Sequence, residues 1–387
     1  MFFCISKRQC ENYTLHWTVD DIHIDTDTGW QSCDHESTLF IYKGYTDQGR
    51  LDQQFLTVDQ TTTGNFCIIA VNKAQQTIKI TTDCHRSFPI YYEQLQSVTN
   101  LTPLSDTAWT DSVVELDFDL HITEHKIDAI GYLESSLLTY ESAIDQVDTI
   151  LFEKTKQFVA NNNLPLKVFL SGGVDTLLVY SYLVRLGAKF ELVDYDHVDH
   201  DYFYRANGHL IKSFWGYNQI HHWRQPCVLA SGAPGDEFML RSPTTANLFL
   251  LRNNTSIPQL LDQYPDCLHH PYFSQAKHTE LFKAQQTATQ DVSDWALCNI
   301  VVNDWQHWHL GYTLTWTPLR DLEIFKILLR LPLTHAINQI MNSEFSRCLI
   351  ERNAPGATRF LSDQKNTGAS LKNLNRLFHS ISYRSLQ

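Results

Sequence analysis

The chain has 387 residues, enough for two domains that each bury a core. Hydrophobic residues at 43% and charged residues at 19% exclude a disordered tract and indicate a globular protein. With 43 acidic against 30 basic residues the net charge is −13, which argues against a nucleic-acid partner, whose phosphates call for a basic face, and favours a small charged substrate.

In chain order, residues 1 to about 120 read as β-rich. Leu39–Tyr42, Phe66–Val71 and Thr77–Thr81 are dense in β-branched and aromatic residues, and turn-formers punctuate them at Asp25–Gly29, Thr46–Gly49 and Thr61–Gly64. From about residue 125 the pattern becomes helical, with Ile144, Val147, Ile150, Leu151 and Phe158 on one face. That helix stops at Asn161-Asn162-Asn163 and Pro165. A strand over Val168–Leu170 follows, then a glycine turn, a buried helix over Thr176–Leu186 closed by Gly187, and a second strand over Phe190–Val193. Strands alternating with helices predict a parallel sheet. Further strands are expected at Gln219–Trp223 and Cys227–Ala230, and Trp305, His307, Trp308 and His309 read as core or pocket wall on a helix.

The nine cysteines contain no C-x-x-C pair, so no zinc ribbon is indicated, and Cys4 reads as a small strand residue. The first residues lack an apolar run of signal-peptide length, and no segment reaches the roughly 20 apolar residues of a membrane span. A cytosolic chain with reduced thiols and no membrane partner is expected.

Two loops carry chemistry. In Leu170-Ser171-Gly172-Gly173-Val174-Asp175-Thr176 a strand hands over to a helix. Two glycines let the backbone approach an anion, the helix N-terminus directs positive dipole at it, and the Ser171 and Thr176 hydroxyls can donate to phosphate oxygens. Asp175 makes sense as a ligand for a Mg²⁺ that bridges phosphates. The motif lacks the lysine of the G-x-x-x-x-G-K-[ST] loop and the spacing of G-x-G-x-x-G. An ordinary strand-to-helix turn is the alternative. After the Cys227–Ala230 strand comes Ser231-Gly232-Ala233-Pro234-Gly235-Asp236-Glu237, and ligands of open α/β sheets bind beyond the carboxyl ends of strands. Asp175 and Asp236 are therefore expected to share metal ions, although Asp236 and Glu237 could simply favour a helix N-terminus.

The Ser171–Thr176 motif resembles the SGGxDS signature of the asparagine synthetase and β-lactam synthetase family, and Ser231–Glu237 is similar to its SGEGSDE loop. Thr317–Glu323 looks like the family's P-F-L-D segment, and Gln364-Lys365-Asn366-Thr367-Gly368 its lysine-glycine stretch. Gly64–Ala70, Thr82-Asp83 and Phe88–Tyr92 are similar to strands of a class II glutamine amidotransferase domain. The resemblance implies residues 1–122 as an Ntn-hydrolase-like α+β domain. It implies residues 123–387 as a doubly wound parallel-sheet PP-loop domain, adenine nucleotide alpha hydrolase-like, with a helical C-terminal part. In that family ATP adenylates a carboxylate, releasing pyrophosphate, and an amine attacks the acyl-adenylate. By resemblance, Ser171, Gly172, Gly173, Asp175 and Thr176 hold pyrophosphate and Mg²⁺. Ser231 and Gly232 touch the nucleoside, Val193 belongs to the nucleotide-binding set, and Asp236 joins Asp175 as metal ligand. Lys365 steadies charge in the transition state.

The chain departs from the pattern. Glutaminase chemistry needs an N-terminal cysteine, and Phe2 stands where it would, with Cys4 the first cysteine. Ala233 replaces the loop's substrate-handling glutamate, and Ser171 and Ser231 are only 60 residues apart. His221-His222-Trp223 reads as packed. The expectation is an ATP- and Mg²⁺-dependent amide-forming ligase acting on a small carboxylate and an amine, without glutaminase activity. A PP-loop tRNA-modifying enzyme and a degenerate nucleotide-binding scaffold are the alternatives, and a homodimer is left possible.

Overall fold

The computed structural model describes residues 3–11, 13–46, 49–51, 64–83, 91–92, 106–107, 112–126, 136–169, 172–193, 225–232, 235–241, 262–263, 265 and 313–361. It is a mixed α/β chain with a β-rich N-terminal region, a parallel sheet and C-terminal helices.

β1 (Phe3–Ser6), β2 (Leu15–Val19) and β3 (Ile22–Thr26) form an antiparallel sheet with β3 in the middle. A seven-stranded sheet is built from β4 (Gln31–His35), β5 (Thr38–Thr46), β6 (Gly49–Arg50), β7 (Gly64–Asn72), β8 (Thr77–Thr82), β11 (Ser112–Asp117) and β12 (Ile122–Lys126). β9 (Tyr91–Tyr92) and β10 (Asp106–Thr107) pair separately. The alternation expected of a half-buried strand is plain in β8, where Ile78 and Ile80 point inward and Thr77 and Lys79 outward. Val19, Ile22 and Ile24 of the small sheet share one core with Ile41, Ile69, Val71, Ile80, Val114 and Leu116 of the larger one, so the two sheets face each other. β12 pairs with β11 from Ile122 to Lys126, so strand structure continues a few residues past the point, about residue 120, where the β-rich pattern fades.

The second half begins with α1 (Tyr140–Asn161), which Thr139 caps by accepting from the Ser142 N–H at 3.2 Å. Ile144, Val147, Leu151 and Phe158 bury one face of α1, and Asn162 ends it by bonding both N–H and C=O of Leu164. β13 (Leu166–Phe169), α2 (Val174–Arg185) and β14 (Glu191–Val193) follow, then β15 (Cys227–Ala230), the short α3 (Gly235–Phe238) and β16 (Thr313–Trp316). The four strands make a wholly parallel sheet in the order β14, β13, β15, β16. α4 (Leu322–Leu328), α5 (Leu333–Asn342), α6 (Glu344–Asn353) and a 3₁₀ turn at Ala357–Phe360 complete the region.

α2 is buried on nearly every side, as its sequence VDTLLVYSYLVR demands. A polar knot fixes its orientation. Asp148 of α1 accepts from the Tyr182 hydroxyl at 2.8 Å and from Arg185 at 3.1 Å, and Arg185 also donates to Asn353 of α6 at 2.7 Å. Three helices are thereby locked together, with the N-terminus of α2 beside the end of β13.

Consecutive residues of β15 face opposite ways. Val228 and Ala230 pack among the helices, whereas Leu229 packs into the β-rich core. The two regions also meet at Tyr45, whose hydroxyl donates to the Thr315 carbonyl and whose ring lies 5.9 Å from that of Phe158. Phe158 in turn stacks on Trp316 at 4.1 Å. Among the described residues no helix is long and apolar enough to cross a membrane.

Candidate functional site

β13 and β15 are parallel neighbours, paired Leu166 with Val228, Lys167 with Leu229 and Val168 with Ala230. Because they run in register, the turns that leave their carboxyl ends emerge side by side. The first passes through Gly172, at φ 81°, to Gly173, the cap of α2. The second passes through Ser231 and Gly232 to Gly235 at the start of α3.

These turns touch. A Cβ on Gly232 would stand 2.4 Å from both the Asp175 carbonyl carbon and the Thr176 nitrogen, and one on Gly235 would stand 2.5 Å from the Asp175 carboxyl carbon. Only glycine admits this approach. It brings the Asp175 carboxylate, with its side chain 17% exposed, up to that of Asp236, which is 51% exposed. Arg241 Nη1 lies 2.5 Å from Asp175 Oδ1, and Arg241 Nη2 lies 3.1 Å from Asp236 Oδ1.

Local bonds set this loop. Gly235 N donates to Gly232 O at 2.7 Å, Met239 N to Gly235 O at 2.8 Å, and Arg241 N to Asp236 O at 2.7 Å. From outside, the buried Gln339 of α5 donates to the Met239 carbonyl at 2.7 Å and to the Ser346 hydroxyl at 2.9 Å.

Burial dominates the electrostatics. It pushes the Asp175 carboxyl up to about 6, with Arg241 opposing the shift and Asp236 adding to it. Burial likewise pushes Glu237 up to about 8, and the neighbouring Asp236 charge contributes. With Glu237 protonated at neutral pH, the Asp175 and Asp236 carboxylates face one guanidinium, which leaves a small surplus of negative charge among the described residues at the end of the sheet. The donor set is all carboxylate oxygen, which suits a hard divalent cation. The space that Gly232 and Gly235 leave free of a Cβ is filled by Asp175 itself, and Arg241 stands between the Asp175 and Asp236 carboxylates.

The structure brings Gly172, Gly173, Asp175, Thr176, Ser231, Gly232 and Asp236 together. The Thr176 hydroxyl donates to the Gly173 carbonyl at 3.1 Å and its side chain is buried, so here it serves the first turn of α2. Ser231 is buried, its N–H bonded to the Trp316 carbonyl at 2.9 Å. Val193 ends β14 opposite Phe169, on the side of β13 away from β15. Ser171, Ala233, Pro234, the Gln364–Gly368 stretch with Lys365, His221–Trp223 and Trp305–His309 lie outside the described residues. Asp321 caps α4 by accepting from the Glu323 and Ile324 N–H groups at 2.7 and 3.0 Å, and it ion-pairs with Lys154 of α1.

Cys4 lies in β1 with its sulfur 3.3 Å from that of Cys10, and burial pushes its thiol up to about 12, which suppresses a thiolate at neutral pH. An exposed group, Asp117, Asp119 and His121, sits on the β11–β12 turn. Its hydrogen bonds run within the turn, since the His121 N–H and Nδ1 both pair with Asp117 at 2.9 Å.

Sequence reasoning passed over Arg241 and Gln339. The only signal for Arg241 was a lone cation a short way beyond the acidic pair, and Gln339 carried none, because its partners come from distant segments. No family model matches the chain, and no curated protein matches it.

Proposed function

We propose that the chain is an ATP- and Mg²⁺-dependent ligase that activates a carboxylate as its acyl-adenylate, releases pyrophosphate and passes the acyl group to an amine. The observation that supports this reading is the contact between the two strand-end turns, where a single guanidinium, Arg241, reaches both Asp175 and Asp236. On this reading the second half has the PP-loop architecture of the asparagine synthetase and β-lactam synthetase family, and the β-rich half is its amidotransferase-like companion without a glutaminase nucleophile.

Asp175 and Asp236 would hold the magnesium ion, which when bound neutralises phosphate charge. The first turn of α2 points its amide dipoles toward the pyrophosphate, with Gly172 and Gly173 allowing close approach. Ser231 and Gly232 line the nucleoside side. Lys365 is assigned to the developing charge. On this reading the amine comes from a substrate.

The test is product analysis. The purified chain, ATP, Mg²⁺ and a panel of small acids and amines should yield AMP and pyrophosphate in equal amounts. Formation of ADP and phosphate with every active acid would overturn the reading.

A further inference from the structure

The acidic pair of the site is held by a guanidinium. Arg241 places one nitrogen 2.5 Å from Asp175 Oδ1 and the other 3.1 Å from Asp236 Oδ1, so one planar fork spans the two oxygens that a bridging cation would take. Carboxylates this close repel each other unless a cation lies between them. The backbone is bent to deliver that cation. Leu240, fully buried, has φ 55°, a left-handed conformation that disfavours a branched residue, and the Arg241 N–H closes onto the Asp236 carbonyl at 2.7 Å. This tight turn folds the Arg241 side chain back over the pair.

We propose that Arg241 is a resident counter-ion that occupies the bridging position between Asp175 and Asp236 in the metal-free protein, yields it to magnesium nucleotide, and moves its guanidinium onto the phosphates. The proposal rests on reading the pair as magnesium ligands. Magnesium takes oxygens at about 2.1 Å, so an ion bridging both carboxylates cannot share the gap with a guanidinium already bonded to them. Metal alone must displace Arg241 from both carboxylates and offers the guanidinium no anion in exchange. Metal arriving with nucleotide supplies one, because the arginine fork matches phosphate oxygens in bidentate fashion. Metal and nucleotide therefore bind together, and the site resists loading by free metal.

The experiment titrates Mn²⁺ into the full-length chain and follows free Mn²⁺ by electron paramagnetic resonance, with and without a non-hydrolysable ATP analogue. Wild type is compared with Arg241→Met and Arg241→Lys. Without nucleotide, Arg241→Met should bind Mn²⁺ about tenfold more tightly than wild type, a coupling of ordinary size, with Arg241→Lys between them. With the analogue present the order should reverse. A folded Arg241→Met that binds Mn²⁺ alone no better than wild type would overturn the proposal and make the guanidinium a brace. Should Arg241→Met not fold, Arg241→Lys decides the same question by the same comparison. The metal-alone arm judges Arg241. An analogue that leaves Mn²⁺ binding unchanged in every variant would instead sink the nucleotide reading.

Discussion

Gly235 faces the side chain of Asp175 so closely that a Cβ would stand 2.5 Å from the carboxyl carbon and 2.7 Å from Oδ1. Across the same junction Gly232 faces the Asp175 backbone at 2.4 Å. The two glycines differ in what would have to give. At Gly235 the Asp175 carboxyl group can swing, although its Cβ, 2.7 Å away, must also shift, whereas at Gly232 only backbone is met and the N-terminal turn of α2 must move. Gly232→Ala should therefore destabilise the protein by about 1–3 kcal/mol, as overpacking does, while Gly235→Ala should cost less stability yet still abolish metal-dependent nucleotide binding. Chemical denaturation paired with calorimetric titration of Mg²⁺–ATP checks both halves.

The pH dependence of stability follows from Glu237. Its folded value, pushed up to about 8, lies above the ordinary 4.5, so the protonated carboxyl favours folding. That contribution is complete below about pH 4 and is lost as pH rises through about 8. Asp175, pushed up to about 6, adds loss of the same sign at lower pH. The metal-free protein should thus melt at lower temperature at pH 8 than at pH 5. Glu237→Gln should flatten the upper part of that decline and be more stable than wild type at pH 8.

Gln339 holds the Met239 carbonyl from α5 and shares the Ser346 hydroxyl. Replacing it with leucine, which is similar in size, leaves both groups buried without this donor. Gln339→Leu should lose about 1–3 kcal/mol in urea unfolding. Because the Met239 turn carries Arg241 two residues later, the variant should also loosen Mn²⁺ discrimination between the presence and absence of nucleotide.

Local pattern made much of the fold legible. Ile144, Val147, Leu151 and Phe158 announced α1 because helical spacing puts them on one face, and they are buried there. The apolar runs before Gly172 and Gly232 announced two strands, and β13 and β15 are parallel neighbours. Two glycine turns at strand ends then sufficed to foresee the meeting of Asp175 and Asp236. Contacts made over long sequence distances were not legible. Nothing local told that Tyr45 would bond Thr315, or that Leu229 would turn from the helices into the β-rich core. Arg241 stayed hidden for a related reason. Its role depends on the left-handed turn at Leu240, which leucine's own preferences argue against.

Asp175 and Asp236 are proposed to grip a single magnesium nucleotide, and a double-mutant cycle measures that sharing. Calorimetry would give the Mg²⁺–ATP affinity of wild type, Asp175→Asn, Asp236→Asn and the double variant. If one ion is shared, each single change removes most of the Mg²⁺-dependent affinity and the double variant is little worse, a coupling of about 1 kcal/mol or more. Losses that simply add, or ATP binding that ignores Mg²⁺ in the wild type, would contradict the account.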